Sequence, residues 1–66
     1  MNQAAKPEPL AVGPEEAGRI SGHSRSAIYA AIAKGELKSF KPAKRRLILI
    51  RELEAWLNRL AKEGSK

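Results

Sequence analysis

Ser21-Gly22-His23-Ser24-Arg25-Ser26-Ala27-Ile28-Tyr29-Ala30-Ala31-Ile32-Ala33-Lys34-Gly35 reads as a tight turn followed by a short helix. Gly22, lacking a Cβ, can take the left-handed conformation that ends one helix. Ser24 is a good N-cap for the next, its hydroxyl accepting from a free backbone N–H. Gly35 closes the second helix as Gly22 closes the first. Ile28 and Ile32 lie four apart on one face with Ala31 beside them, while Arg25, Ser26 and Tyr29 fall on or near the other side. One face can be buried while the other offers donors outward.

Upstream, Gly13-Pro14-Glu15-Glu16 has the form of a helix start. Proline fits the first helical position, and acids in the first turn suit the helix dipole. The pattern predicts a helix over Pro14–Ser21 with Ala17 and Ile20 facing inward. Two short helices joined by a glycine-containing turn have the composition of a helix-turn-helix. Before them, Leu10 and Val12 are spaced as a short extended segment, and residues 1–9, with Pro7 and Pro9, are expected to be a disordered leader.

Downstream the period changes. Leu37-Lys38-Ser39-Phe40 alternates apolar and polar, a strand signature. Lys41-Pro42-Ala43-Lys44-Arg45 reads as a basic loop, and Arg46-Leu47-Ile48-Leu49-Ile50 as a returning strand. Together they predict a hairpin with a basic tip. Residues 51–63 form the strongest helical pattern, with Leu53, Trp56, Leu57 and Leu60 at i, i+3, i+4 and i+7. Trp56 is expected in the core with its indole N–H toward the surface. Gly64 marks the helix end, and residues 64–66 are expected to be a disordered tail. The fold class is therefore mostly α with a small β-hairpin, three helices plus a two-stranded basic wing, over residues 10–63.

Charge placement narrows the function. Lys34, Lys38, Lys41, Lys44, Arg45, Arg46 and Arg51 face a single acid, Glu36, in one contiguous stretch, which carries the entire formal charge of +6. A polyanion is the natural partner of such a patch. With 66 residues there is room for one small domain, and with no cysteine and one histidine there is neither a disulfide framework nor a zinc site. The chain lacks an apolar run able to span a bilayer or serve as a signal segment, so a cytoplasmic protein is expected. His23 lies beside two serines, but no acid is placed to orient it. It is read as a turn residue, and the protein as a non-enzyme without cofactor or metal.

The order helix, turn, helix, basic hairpin, helix resembles the excisionase-type winged helix-turn-helix domains, which are related to AlpA-like phage regulators and to the DNA-binding heads of MerR-type regulators. The resemblance runs from about Leu10 to Leu60. It rests on Glu16-Ala17, Gly22-x-Ser24-Arg25-Ser26, Ile28-Tyr29, Lys34-Gly35-Glu36-Leu37, Lys44-Arg45-Arg46 with Ile48, and Leu53-Glu54-Ala55-Trp56-Leu57. It implies a recognition helix in the major groove and a wing along the minor groove or its phosphates. Carried over, Ser24, Arg25, Ser26 and Tyr29 are the groove and phosphate contacts, with Lys34 the other charge of that helix. Lys41, Lys44, Arg45 and Arg46 are the wing contacts. The chain departs from the family pattern in having Ala30 and Ala33 where basic residues are common, His23 where a valine is common, and an apolar Leu47-Ile48-Leu49-Ile50. The first shifts weight onto the wing, and the last is expected to leave apolar side chains exposed.

Within the motif, Arg25 is the candidate for bidentate contact with a guanine edge or for clamping a phosphate. Ser24 is a cap first, which leaves Ser26 the better groove candidate. Tyr29 has two open readings, a phosphate contact through its hydroxyl or a cover over the helix. A single module of this kind buries roughly 600–1,000 Å², so copies on adjacent sites or a partner protein are expected to help it. The implied function is double-stranded DNA binding as an excisionase acting with an integrase, favoured because no effector or dimerisation segment follows. The alternative is an AlpA-like transcription regulator. From another class, the apolar strand could pair with a second protein while the basic hairpin met an acidic partner. Single-stranded nucleic acid is disfavoured, since two of Tyr29, Phe40 and Trp56 are expected to be buried and leave no stacking platform.

Overall fold

Proline and two acids start α1 (Pro14–Ser21) where the sequence predicts, and Gly22 ends it in the left-handed conformation at φ 77°. The computed structural model describes residues 9–64. Of the expected leader and tail, only Pro9 and Gly64 lie within that range. Ser24 caps α2 (Arg25–Ala33), its Oγ accepting from the Ala27 N–H at 3.0 Å. The third helix, α3 (Ile50–Gly64), begins one residue earlier than the apolar period indicates. It also includes Gly64, which was expected to begin the tail.

The helix-turn-helix is closed by a backbone approach that the sequence reading missed. Gly18 is buried within α1, and a Cβ added there would sit 2.7 Å from the carbonyl oxygen of His23 and 3.3 Å from the Ser24 carbonyl group. Glycine thus lets the first helix lie directly against the turn. Ala17 is fully buried as expected, but Ile20 is 46% exposed. Ala17 and Gly18 set the inward direction, and Ile20 lies about 200° around the helix from Gly18.

The apolar residues of the remaining elements complete one core. Val12, Ala17, Ile28, Ala31, Leu37, Ile48, Leu53 and Trp56 are buried together, with Ile32, Ile50, Leu57 and Leu60 packed against them. His23 joins this core from the turn. Its ring centroid lies 4.8 Å from that of Trp56, and its Nδ1 is 3.0 Å from the Ser21 carbonyl oxygen. The Trp56 indole N–H does not reach the surface as expected. It is buried and has no hydrogen-bond partner among the described residues.

The β structure departs from the expected hairpin in its pairing. The two-stranded antiparallel sheet joins β1 (Ala11–Val12) to β2 (Ile48–Leu49), with Ala11 opposite Leu49 and Val12 opposite Ile48. Residues 37–40 form no continuous strand: the Leu37 N–H, with that of Glu36, turns back to the Ala31 carbonyl at the end of α2, and only Phe40 pairs with the returning segment. The hairpin is reduced to one bridge, Phe40 with Leu47, whose N–H···O bonds are 2.9 and 2.7 Å long. That bridge still closes residues 41–46 into a basic wing loop. The segment expected to be exposed is largely covered, with Ile48 fully buried and Leu47, Leu49 and Ile50 half-buried. Its backbone is bonded on one hand to Phe40 and on the other to Leu10–Val12, so it is not a free strand for another chain.

Two stability predictions follow from this packing. Alanine at position 18 gains about 1 kcal/mol in helix propensity, but its Cβ meets backbone that no rotamer change can move, at a typical cost of about 1–3 kcal/mol. Gly18→Ala is therefore expected to lower the denaturant midpoint, and an unchanged or raised midpoint would contradict the close approach. Trp56→Ala, at about 3–5 kcal/mol, removes most of what so small a core supplies. Its thermal melt by circular dichroism should lose cooperativity, and a sigmoidal melt near the parent temperature would count against Trp56 as the centre of the core.

Candidate nucleic-acid interface

Four cations come together where α1 and α2 begin and the wing loop ends. Arg25, Lys44, Arg45 and Arg46 line one open cleft of about 370 Å³ with Tyr29, Gly13 and Pro14, and Glu15 is its single carboxylate. The turn brings the start of α2 beside the start of α1, and the Phe40–Leu47 bridge folds the wing loop back over both. Gly13, the N-cap of α1, carries no side-chain cap. The Arg45 guanidinium rests above it, with Nη2 4.0 Å from where a Gly13 Cβ would be. Positive groups held this close repel one another, and an anion placed among them relieves that repulsion.

The expected contact residues divide into two groups. Arg25, Tyr29, Lys44, Arg45 and Arg46 line the cleft; Ser24, Ser26, Lys34 and Lys41 are not part of its lining. Ser24 is occupied as a cap. Ser26 is exposed on the first turn of α2, Lys34 is the exposed C-cap of that helix, and Lys41 is exposed in the wing loop. Arg46 does more than add charge. It is half-buried, and its Nη1 donates to Ser39 Oγ at 2.6 Å, tying the two arms of the wing together beneath its tip. Lys44 and Arg45 are exposed at the tip itself.

Sequence reasoning missed the contribution of α1. Gly13, Pro14 and Glu15 form one wall of the cleft, although the Pro-Glu-Glu run had signalled only a helix start. Glu16, one residue on, is engaged with Arg19, whose Nε donates to Oε1 at 2.9 Å. That hydrogen bond holds the Glu16 carboxyl below its ordinary range. The end of α2 is fixed from the opposite side, where Arg59 Nη2 donates to the Glu36 carbonyl oxygen at 2.5 Å. Among the described residues, no three His, Cys, Asp or Glu side chains are grouped to hold a metal, and no helix is long and apolar enough to cross a membrane.

A family model described as a helix-turn-helix domain matches residues 12–61, from β1 through all but the last turn of α3. No curated protein and no solved structure matches the chain.

The cleft predicts a steep salt dependence on duplex DNA. If about five phosphates are neutralised, log K falls with log salt at a slope of about −4 to −5. Replacing Lys44 and Arg45 together by alanine, with Arg46 kept to hold the wing, should make the slope shallower by about 2 and weaken binding to all sequences alike. A slope unchanged in fluorescence-anisotropy titrations would take the wing out of the interface.

Proposed function

This chain belongs to the helix-turn-helix domain family, a DNA-binding family, and we propose that it reads double-stranded DNA with α2 in the major groove and the 41–46 wing on the adjacent backbone or minor groove. The observation that supports this reading is the shared cleft, in which Arg25 of α2 and Lys44 and Arg45 of the wing face one space. A duplex offers base edges and phosphates side by side, so one cleft can engage both. Arg25 and Ser26 supply the sequence preference, by hydrogen bonds to base edges. Lys44, Arg45 and the outlying Lys34 and Lys41 supply phosphate contacts that raise affinity for any sequence. Arg46 serves mainly through the wing it braces. The protein acts by binding and not by catalysis, and it needs no cofactor or metal to do so.

Within the family, we infer an excisionase that directs an integrase toward excision. Support comes from the resemblance carried by Gly22-x-Ser24-Arg25-Ser26, Lys34-Gly35-Glu36-Leu37 and Lys44-Arg45-Arg46, and from the small area that one module can cover. Such a protein gains occupancy when copies sit on neighbouring sites or when a recombinase is bound alongside. Footprinting on the attachment site of the parent mobile element, paired with an integrase excision assay, tests this. The expected result is protection of short, adjacent sites together with a gain in excision. Protection confined to a promoter, with excision unaltered, would overturn the excisionase reading in favour of a transcription regulator.

A further inference from the structure

Arg25 occupies an unfavourable position for a cation. It is the first residue of α2, where the helix dipole is positive and no acid lies in the first turn. Lys44, Arg45 and Arg46 line the same cleft. Arg25 makes no ion pair among the described residues, and the one carboxylate of the cleft, Glu15, is not bonded to it. What it does have is the ring of Tyr29: the Arg25 Cζ lies 5.2 Å from the ring centroid. Tyr29 is four residues on, hence on the same face of the helix. It is 39% exposed, far more than covering the core requires.

We propose that Tyr29 is a positioning residue, its ring a platform that holds the Arg25 guanidinium across the mouth of the cleft, ready to meet a base edge. The inference rests on the DNA-reading role of Arg25 proposed above and resolves the two readings of Tyr29. The working part is the face of the ring and not the hydroxyl. The negative face attracts the guanidinium where Lys44, Arg45 and Arg46 in the same cleft repel it. A guanidinium held over the ring face by its Cζ keeps N–H groups free for a bidentate contact. Holding it there before binding removes part of the side-chain ordering cost that a free arginine incurs on DNA. The contribution expected of an exposed pair is about two- to fivefold in affinity.

The test compares Tyr29→Phe, which keeps the ring, with Tyr29→Leu, which keeps apolar bulk without it. Each is combined with Arg25→Ala and measured by anisotropy on a duplex selected from random sequence and on its single-base variants. Tyr29→Phe should bind like the parent with the same base preference. Tyr29→Leu should lose about two- to fivefold on the selected duplex, and its preference should relax at the same base pair as in Arg25→Ala. In the Arg25→Ala background the Tyr29→Leu loss should vanish. Equal losses in Tyr29→Phe and Tyr29→Leu would assign the hydroxyl to a phosphate and overturn the platform. A Tyr29→Leu loss undiminished without Arg25 would do the same. The free protein supplies a readout independent of DNA. Ring-current shifts of the Arg25 side-chain protons in NMR spectra should persist in Tyr29→Phe and disappear in Tyr29→Leu. Their absence from the parent would overturn the platform, whereas their presence in a protein that fails to bind duplex DNA would leave the platform standing and refute the DNA reading alone.

Discussion

The geometry of the molecule depends on how closely the turn can lie on the first helix. At Gly18 the missing Cβ leaves room for the His23 carbonyl oxygen, and the angle between α1 and α2 follows from that approach. His23 then turns its ring onto Trp56, so one residue sets the turn against α1 through its backbone and against α3 through its side chain. A valine, common at this position in the resembled family, would fill space there but has no ring to lay against the indole. The interhelical angle matters beyond packing, because it brings the starts of α1 and α2 to the same side as the wing and so creates the cleft.

The interface is built from groups that the free protein has little use for. Lys44, Arg45 and Arg25 stand close to one another near the positive ends of two helices. None of this stabilises the fold, and the mutual repulsion works against it. The core on the opposite side offsets that strain with closely packed apolar residues, and Arg46 does so locally by joining the wing arms through Ser39. Glu15 tempers the cleft with one negative charge. The arrangement keeps the anion-binding groups accessible while leaving the wing loop short and braced.

Helices were legible in the sequence almost to the residue. Their signals are local: Pro14 and the acids after it, Gly22, the Ser24 cap, and the i, i+4 spacing of Ile28 with Ile32. The sheet was legible only in part. Alternation marks residues 37–40 as strand-like, but Leu37 at their start is bonded back to the Ala31 carbonyl of α2 and only Phe40 pairs across the wing. The partner that β2 takes instead lies near the other end of the chain, and no local pattern in Ala11-Val12 declares it. For the site, the wing cations were visible as a charged run, and the four cations that line the cleft were all among the residues singled out. The part played by Gly13, Pro14 and Glu15 was not, because convergence of the two helix starts is a property of the packed turn. Gly18 escaped notice for a related reason, since a glycine inside a helix gives no sign of what presses against it.

The pairing of β1 with β2 also bears on how the molecule folds. Ala11 meets Leu49 and Val12 meets Ile48, so the sheet forms only after most of the chain has been brought round. Helix-turn-helix contacts are local and quick to form, whereas this closure must overcome the chain entropy of a long loop before it is rewarded. The residues that seal it also bury Val12 and Ile48 in the common core. Folding is then expected to be a single concerted event, with the wing and the recognition helix arriving together. A nascent chain still lacking Ile48 and Leu49 would carry the turn and α2 without the cleft, and would acquire its DNA-binding face only when its two distant segments meet.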